Sequence, residues 1–186
     1  MNTYYREKQF LAIVDRNDNI IGKQEKWEAH KKGVLHRGYT AILTYHNDVV
    51  LQHRKHPLFN GVFDMTFSSH QLYQSDSLQS DEDALKDGLL REWGVDMKEI
   101  VSKPRLIDKI YYEAHDPKSN YIEHEIDYIF LAELKDVPHP NLQFAYGYEL
   151  VAKKEIKKRI YELTAKPAPW IEEFFKRRAI GELFAI

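Results

Sequence analysis

Residues 80–94, SDEDALKDGLLREWG, form the clearest helix in the chain, and the fold is read around them. Ser80 is placed to cap the first turn. Asp81, Glu82 and Asp83 stand where the positive end of a helix dipole favours acids. Gly94 supplies the stop. Leu85, Leu89 and Trp93 fall four residues apart and predict a buried stripe. Ala84, Gly88 and Glu92 form the adjoining stripe, so Glu92 sits at the margin of the buried face.

On both sides of this helix the pattern is that of strands. Residues 10–14 are apolar, stop at the turn formers DRNDN (15–19) and resume at Ile20 and Ile21. Residues 26–32 are short and polar and lead through Gly33 to Leu35-His36-Arg37-Gly38. Residues 39–45 and 49–53 read as a hairpin across 46–48. Residues 62–67 read as a further strand. After the helix, 105–112 and 122–134 are strands joined through 115–120, and 146–151 is another. Residues 153–163 are amphipathic, and a last helix begins near Pro169. Strands before and after one central helix, with a helix at the end, predict an α+β domain of layered sheet and helices. The Pro-rich joint at 166–169 precedes too few residues for a second core, so one domain spanning 1–186 is expected.

Residues 122–130, IEHEIDYIF, carry the most chemical information. Alternation puts Ile122, His124, Ile126, Tyr128 and Phe130 on one face and Glu123, Glu125 and Asp127 on the other. Three carboxylates in a row repel one another and are costly to desolvate. Either they form a solvated outer face, or a cation or basic side chains neutralise them. Among the nine histidines, His30 and His36 flank Gly33 in an expected loop, and His70 follows the strand at 62–67. The other six, His46, His53, His56, His115, His124 and His139, read as ordinary surface or turn residues. Spacing alone selects no ligand set, since no local HExxH-type motif is present; an N/O metal site is as far as the residues themselves lead.

Composition excludes several classes. The chain has 186 residues, 43% of them hydrophobic, and a formal net charge of -2. Nothing in that balance would gather nucleic acid or an anionic membrane. With no cysteine, disulfides, thiolate ligation and thiol catalysis are out. No apolar run approaches the length of a membrane span, and residues 1–10 contain no apolar leader core. A cytoplasmic protein with a small-molecule partner is expected.

The stretch 14–43, VDRNDNIIGKQEKWEAHKKGVLHRGYTAIL, resembles the opening of type 1 isopentenyl-diphosphate isomerases, a branch of the Nudix superfamily. FNGVFDMTFSSHQ (59–71) is similar to the family's strand ending in Cys-Gly-His. DALKDGLLREWGV (83–95) resembles its modified Nudix helix, YIEHEIDYIF (121–130) its paired-glutamate strand, and PAPW (167–170) its Pro-Trp segment. The resemblance runs over roughly 10–175. It implies a Nudix fold and a metal held by His30, His36, His70, Glu123 and Glu125. Imidazole with carboxylate suits Zn²⁺, Mn²⁺ or Mg²⁺. It also implies a second role for Mg²⁺, bound near Glu92 with the substrate diphosphate. Proton donation falls to Glu125 with Tyr112, and stabilisation of a carbocation to the face of Trp170. Lys26, Arg37 and Arg54 are the implied phosphate ligands.

Two departures stand out. The family's catalytic cysteine matches Ser68, and its following glycine matches Ser69. A thiol ionises near pH 8.5 (roughly), whereas an alkyl hydroxyl is a poor base unless a partner takes its proton. On the helix, Asp87 and Gly88 stand where the isomerases often carry arginines, and the loop from Arg54 to Gly61 is short, leaving Lys55 as an open substitute for a phosphate-binding lysine. Three functions are compatible with these residues. The first is a metal-dependent isomerase of isopentenyl diphosphate, slowed at Ser68. The second is a Nudix hydrolase of another diphosphate. The third is a metal-stabilised binding module.

Overall fold

The computed structural model describes residues 3–177; residues 1, 2 and 178–186 of the expected domain lie outside the described range. A short 3-10 turn, Thr3–Arg6, leads into β1 (Phe10–Val14), β2 (Ile20–Glu25), α1 (Lys26–Lys32), β3 (His36–Tyr45) and β4 (Asp48–Arg54). Then come β5 (Phe63–Asp64), β6 (Phe67–Ser69), a small hairpin of β7 (Tyr73–Gln74) and β8 (Ser77–Leu78), and α2 (Asp81–Trp93). The chain continues with β9 (Arg105–His115), β10 (Ile122–Glu133), β11 (Ala145–Ala152), α3 (Ile156–Arg159) and α4 (Pro169–Phe175).

Nine strands form one mixed sheet. Strand β3 lies at its centre. Its whole length pairs in parallel with β10, from His36 opposite Glu125 to Thr44 opposite Glu133. Its other edge is shared by β1 at His36, β6 at Tyr39 to Ala41 and β4 at Thr44 and Tyr45. Both faces of β3 and β10 are covered, which is why these strands read as nearly continuous buried runs. On one face, Tyr39, Leu43, Tyr128 and Phe130 pack against Leu85, Leu89 and Trp93 of α2. On the other, Ile42 and Ile129 pack with Trp170, Ile171 and Phe174 of α4. The layered α+β arrangement expected from the sequence is therefore present.

Helix α2 forms as its residues dictate. The Ser80 hydroxyl accepts from Asp83 N at 3.1 Å, and Gly94 closes the helix at φ 63°. Both predicted stripes are buried, Glu92 included. Gly88 is where the helix touches the sheet: the Tyr39 hydroxyl donates to Ala84 O at 2.7 Å across it. A Cβ at Gly88 would stand 2.6 Å from the Phe67 ring and closer still to the Tyr39 hydroxyl. An arginine here would have no room, so Gly88 is accounted for by packing.

Three local expectations are corrected. Residues 26–32 form a helix, because Lys26, Ala29 and His30 share one buried face and the turn can end at Gly33, φ 61°. The expected strand over 62–67 breaks at Met65-Thr66, where the chain leaves β4 to pair with β3. Thr66 holds the break at φ 72°, its hydroxyl accepting from Leu43 N at 2.9 Å and donating to Val50 O at 2.7 Å. The helix expected over 153–163 shortens to a 3-10 turn and α3, since Ile156 and Ile160, one turn apart, are its fully buried residues.

Replacing Gly88 with alanine separates propensity from packing. Alanine favours a helix over glycine by about 1 kcal/mol, whereas overpacking costs about 1–3 kcal/mol. The G88A variant should therefore unfold at lower urea concentration than the wild type; a midpoint that rises would show that α2 does not press on Phe67 and Tyr39.

Candidate active site

The pairing of β3 with β10 brings the metal-ligand candidates together. Glu123, Glu125 and Asp127 point to the same sheet face as His36, and all three are buried, at 5%, 4% and 1% exposure. This decides against a solvated outer face. Helix α1 lowers His30 onto the same spot, and the chain after β6 delivers His70. His30 Nε2 lies 3.0 Å and His36 Nε2 3.8 Å from Glu123 Oε2. His70 Nε2 lies 2.9 Å and His36 Nε2 3.4 Å from Glu125 Oε1. Gly38, opposite Asp127 in the ladder, leaves the space that the Glu125 carboxylate fills; a Cβ there would overlap it.

The ring nitrogens identify what this cluster fits. His30 Nδ1 and His36 Nδ1 face backbone carbonyls, Lys26 O at 2.6 Å and Val34 O at 2.7 Å, so each carries its proton on Nδ1 and turns a lone pair inward at Nε2. Those lone pairs confront carboxylate oxygens, acceptor against acceptor. His36 Nε2, both nitrogens of His70 and Glu123 Oε2 are buried with no hydrogen-bond partner among the described residues. Donor atoms of His30, His36, His70 and Glu123 all lie within 4.8 Å of one another. Ligands of a divalent ion at about 2.1 Å span a similar distance. The residues fit a divalent cation.

Without a cation, charge balance in the cluster falls to the imidazoles. Burial alone would raise the Glu125 carboxyl, but His36 and His70 beside it hold it well below the usual carboxylate range. Burial likewise opposes ionisation of Glu123, and His30 reverses it. Burial drives His70 down to about 4, with the Glu125 carboxylate only partly offsetting it. His36 goes the other way: burial lowers it, but Glu125 and Glu123 raise it above its ordinary value. Asp127, desolvated and next to Glu125, is pushed well above the carboxylate range.

Around this cluster lies one narrow cavity, whose walls include Lys26, Arg54, Ser68, His70, Glu92, Tyr112, Glu123, Glu125 and Trp170. The Tyr112 hydroxyl donates to Glu125 Oε2, and burial with the Glu125 charge pushes that phenol well up, so Tyr112 holds the proton. Trp170 Nε1 donates to Asp64 Oδ1 at 2.9 Å, and the Arg54 guanidinium lies 5.1 Å from the centre of its ring. Arg54 Nη1 also reaches Asp64 Oδ2 at 2.8 Å. Lys26 is 2% exposed, bonded to the neutral Gln9 Oε1 at 3.3 Å and set among the rings of Tyr4, Tyr5 and Trp27; burial lowers its ammonium. Glu92 receives Arg91 Nη2 at 3.1 Å and Gln52 Nε2 at 3.3 Å.

Arg37 is not brought to this cavity. It follows His36 on β3 and so projects from the opposite face, where it pairs with Asp18 at 2.7 Å and covers Tyr128. Lys55 also turns away, to Leu142 O at 3.1 Å. In their place stand residues the sequence reading missed. Arg91 is one position from Glu92 on α2. His56 and Tyr5 line the cavity, and Asp64 lies behind Ser68. For Arg91, adjacency to Glu92 was the available signal. For Tyr5 there was none, because the 3-10 turn Thr3–Arg6 reaches the site only through tertiary packing. Tyr4 and Tyr5 of that turn stand in the cavity wall, and the cavity holds about 10 Å³, less than a small molecule occupies.

No helix among the described residues is long and apolar enough to cross a membrane. No protein-family model matches the chain. It is 29% identical to Isopentenyl-diphosphate Delta-isomerase 1 of Bos taurus over 188 residues, covering 90% of this chain and 82% of the relative. It is 28% identical to Isopentenyl-diphosphate Delta-isomerase of Pectobacterium atrosepticum, covering 90% and 89%. Among solved structures, DR0079 from Deinococcus radiodurans superposes with a TM-score of 0.65 at 16% identity, over 90% of this chain and 98% of that one. The MutT NUDIX hydrolase from Burkholderia pseudomallei gives 0.56 at 14% identity, over 80% and 98%. The chain thus has the Nudix fold and, over most of its length, is similar to isopentenyl-diphosphate Delta-isomerases.

Proposed function

We propose that this single Nudix-type domain is a metal-dependent isomerase that converts isopentenyl diphosphate to dimethylallyl diphosphate. The observation that carries the reading is the convergence of the Tyr112–Glu125 pair and Trp170 on the same buried cavity as the His/Glu cluster. A buried acid beside an aromatic face suits an alkene that must be protonated and a cation that must be steadied. Hydrolysis of a diphosphate has little use for either. It would draw instead on helix carboxylates, and on α2 Asp81, Glu82, Asp83 and Asp87 are all exposed, with Glu92 alone at the cavity.

In this reading His30, His36, His70, Glu123 and Glu125 hold a divalent ion, Zn²⁺, Mn²⁺ or Mg²⁺. When bound, that ion would neutralise the two carboxylates and polarise the acid beside it. The diphosphate, with Mg²⁺ near Glu92, is bound by Lys26 and Arg54, with Arg91 alongside through its ion pair to Glu92. The Lys26 ammonium donates to a neutral amide, Gln9 Oε1, and an anionic substrate supplies it with a counter-charge. The proton shared by Tyr112 and Glu125 is delivered to the alkene terminus, and the face of Trp170 steadies the tertiary cation that results. A proton then leaves the neighbouring carbon toward Ser68.

Deuterium tests the reaction. With isopentenyl diphosphate and Mg²⁺ in D₂O, the protein should incorporate deuterium and form the allylic isomer, as followed by NMR. Replacing Tyr112 by phenylalanine or Glu125 by glutamine should lower the rate by about 10²–10⁴-fold. Absence of exchange in the wild type and in S68C alike would rule the isomerase out.

Metal content is checked separately. Protein stripped by a chelator should regain thermal stability on adding a divalent ion, by about 2.7 kcal/mol at a hundredfold excess over the dissociation constant. His36→Ala should remove most of that gain. Because the His36 pKa is raised, metal must displace a proton at lower pH, so the gain should be larger at pH 8 than at pH 6. In the stripped protein the sign reverses: the protonated His36 contributes stability below its ordinary pKa and loses it as pH rises through the raised value. A gain independent of pH would place the ion elsewhere.

A further inference from the structure

The serine that replaces the family's thiol needs a partner to accept its proton, and the fold provides one. The Ser68 hydroxyl lies 3.2 Å from Asp64 Oδ1 as donor and 2.8 Å from the Thr40 hydroxyl. Thr40 directs its own proton to Asp127 Oδ2 at 2.8 Å and, as an alcohol, is no better a proton acceptor than serine. Asp64 is fully buried and lies four residues from Ser68 across the break at Met65-Thr66. Its carboxylate also accepts from Met65 N at 2.9 Å, from Trp170 Nε1 and from Arg54 Nη1.

We propose that Asp64 acts through Ser68 as the proton acceptor of the deprotonation step, a positioning residue that makes a hydroxyl serve where a thiol would stand alone. The inference rests on the isomerase reading above. The C–H bond beside the cationic carbon breaks, and its electron pair forms the new double bond. The proton goes to Ser68 Oγ while the original Ser68 proton passes to Asp64 Oδ1. Ser68 remains neutral throughout, so no alkoxide is needed. A carbon acid next to a tertiary cation is strong enough that a weak base held in place suffices. Of the other donors on Asp64, Met65 N and Trp170 Nε1 also reach Oδ1 and Arg54 Nη1 reaches Oδ2, so they fix the carboxylate, and one of the two Oδ1 contacts lengthens as the serine proton arrives.

Asp64 also holds Arg54 and Trp170, so loss of activity in D64N alone would not separate the roles. A cycle with S68C does, because a thiolate takes the proton itself and needs no acceptor behind it. D64N should lower kcat about 100-fold further in the serine protein than in the S68C background, beyond whatever loss both share through Arg54 and Trp170. Equal losses in both backgrounds would make Asp64 merely structural and overturn the inference while leaving the isomerase reading intact. Exchange by S68C without exchange by the wild type would overturn it too. If neither protein exchanges deuterium, the isomerase reading fails and this inference with it. Should D64N not fold, T40V and S68A give the answer: S68A should lose about 100-fold in kcat, and T40V less than about threefold. A T40V loss as large as that of S68A would assign the proton to the Asp127 side and overturn the role of Asp64.

Discussion

The site depends on the parallel pairing of β3 with β10, in register with His36 opposite Glu125. Side chains alternate along a strand, so this one register turns Glu123, Glu125 and Asp127 to the face that carries His36 and Thr40. A slip by one residue would send the carboxylates under α2 and Ile126, Tyr128 and Phe130 toward the histidines. The apolar core specifies the register, because the same pairing buries Ile129 beside Ile42 on one face and Phe130 beside Leu43 on the other.

Burying charge is what makes the arrangement chemically pointed. An ionised group taken from water costs several kcal/mol unless its neighbours compensate. With neutral imidazoles the two glutamates would face lone pairs, so a proton on the ring or a cation must lie between them. A divalent cation relieves both contacts at once. On the adjoining side the sign is inverted: Lys26 and Arg54 are buried and Arg91 is half-buried, with Asp64 compensating Arg54 and Glu92 compensating Arg91. An anion bound there would complete the balance. Tyr4 and Tyr5 line the same cavity.

Ser68 shows how a fold can alter the demands on a residue. As a free hydroxyl it would be an inadequate replacement for a thiol. The break at Met65-Thr66 turns the chain so that Asp64 and Ser68 meet at 3.2 Å, whereas residues four apart in an unbroken strand stand about 13 Å apart. The same carboxylate holds Trp170 and Arg54, so the tryptophan, the arginine and the serine share one anchor.

Much of this was legible in the residues. Helix α2, with its Ser80 cap, Gly94 stop and two buried stripes, follows from local chemistry, and so does the alternation of 122–130. The ligand positions were found by resemblance, because no spacing rule links residues 30, 36, 70, 123 and 125. Arg37, implied as a phosphate ligand by resemblance, faces the other way because in a strand the neighbours of an inward side chain face outward. The sequence by itself determined α2, most of the strands and which of their faces are apolar, since these depend on contacts a few residues apart. Only the tertiary structure decided that 26–32 is helical, that the strand at 62–67 breaks, that the three carboxylates are buried, that Tyr5 lines the cavity and that Asp64 stands behind Ser68. Those facts depend on which strands become neighbours and where one of them breaks, and periodicity along the chain does not encode either.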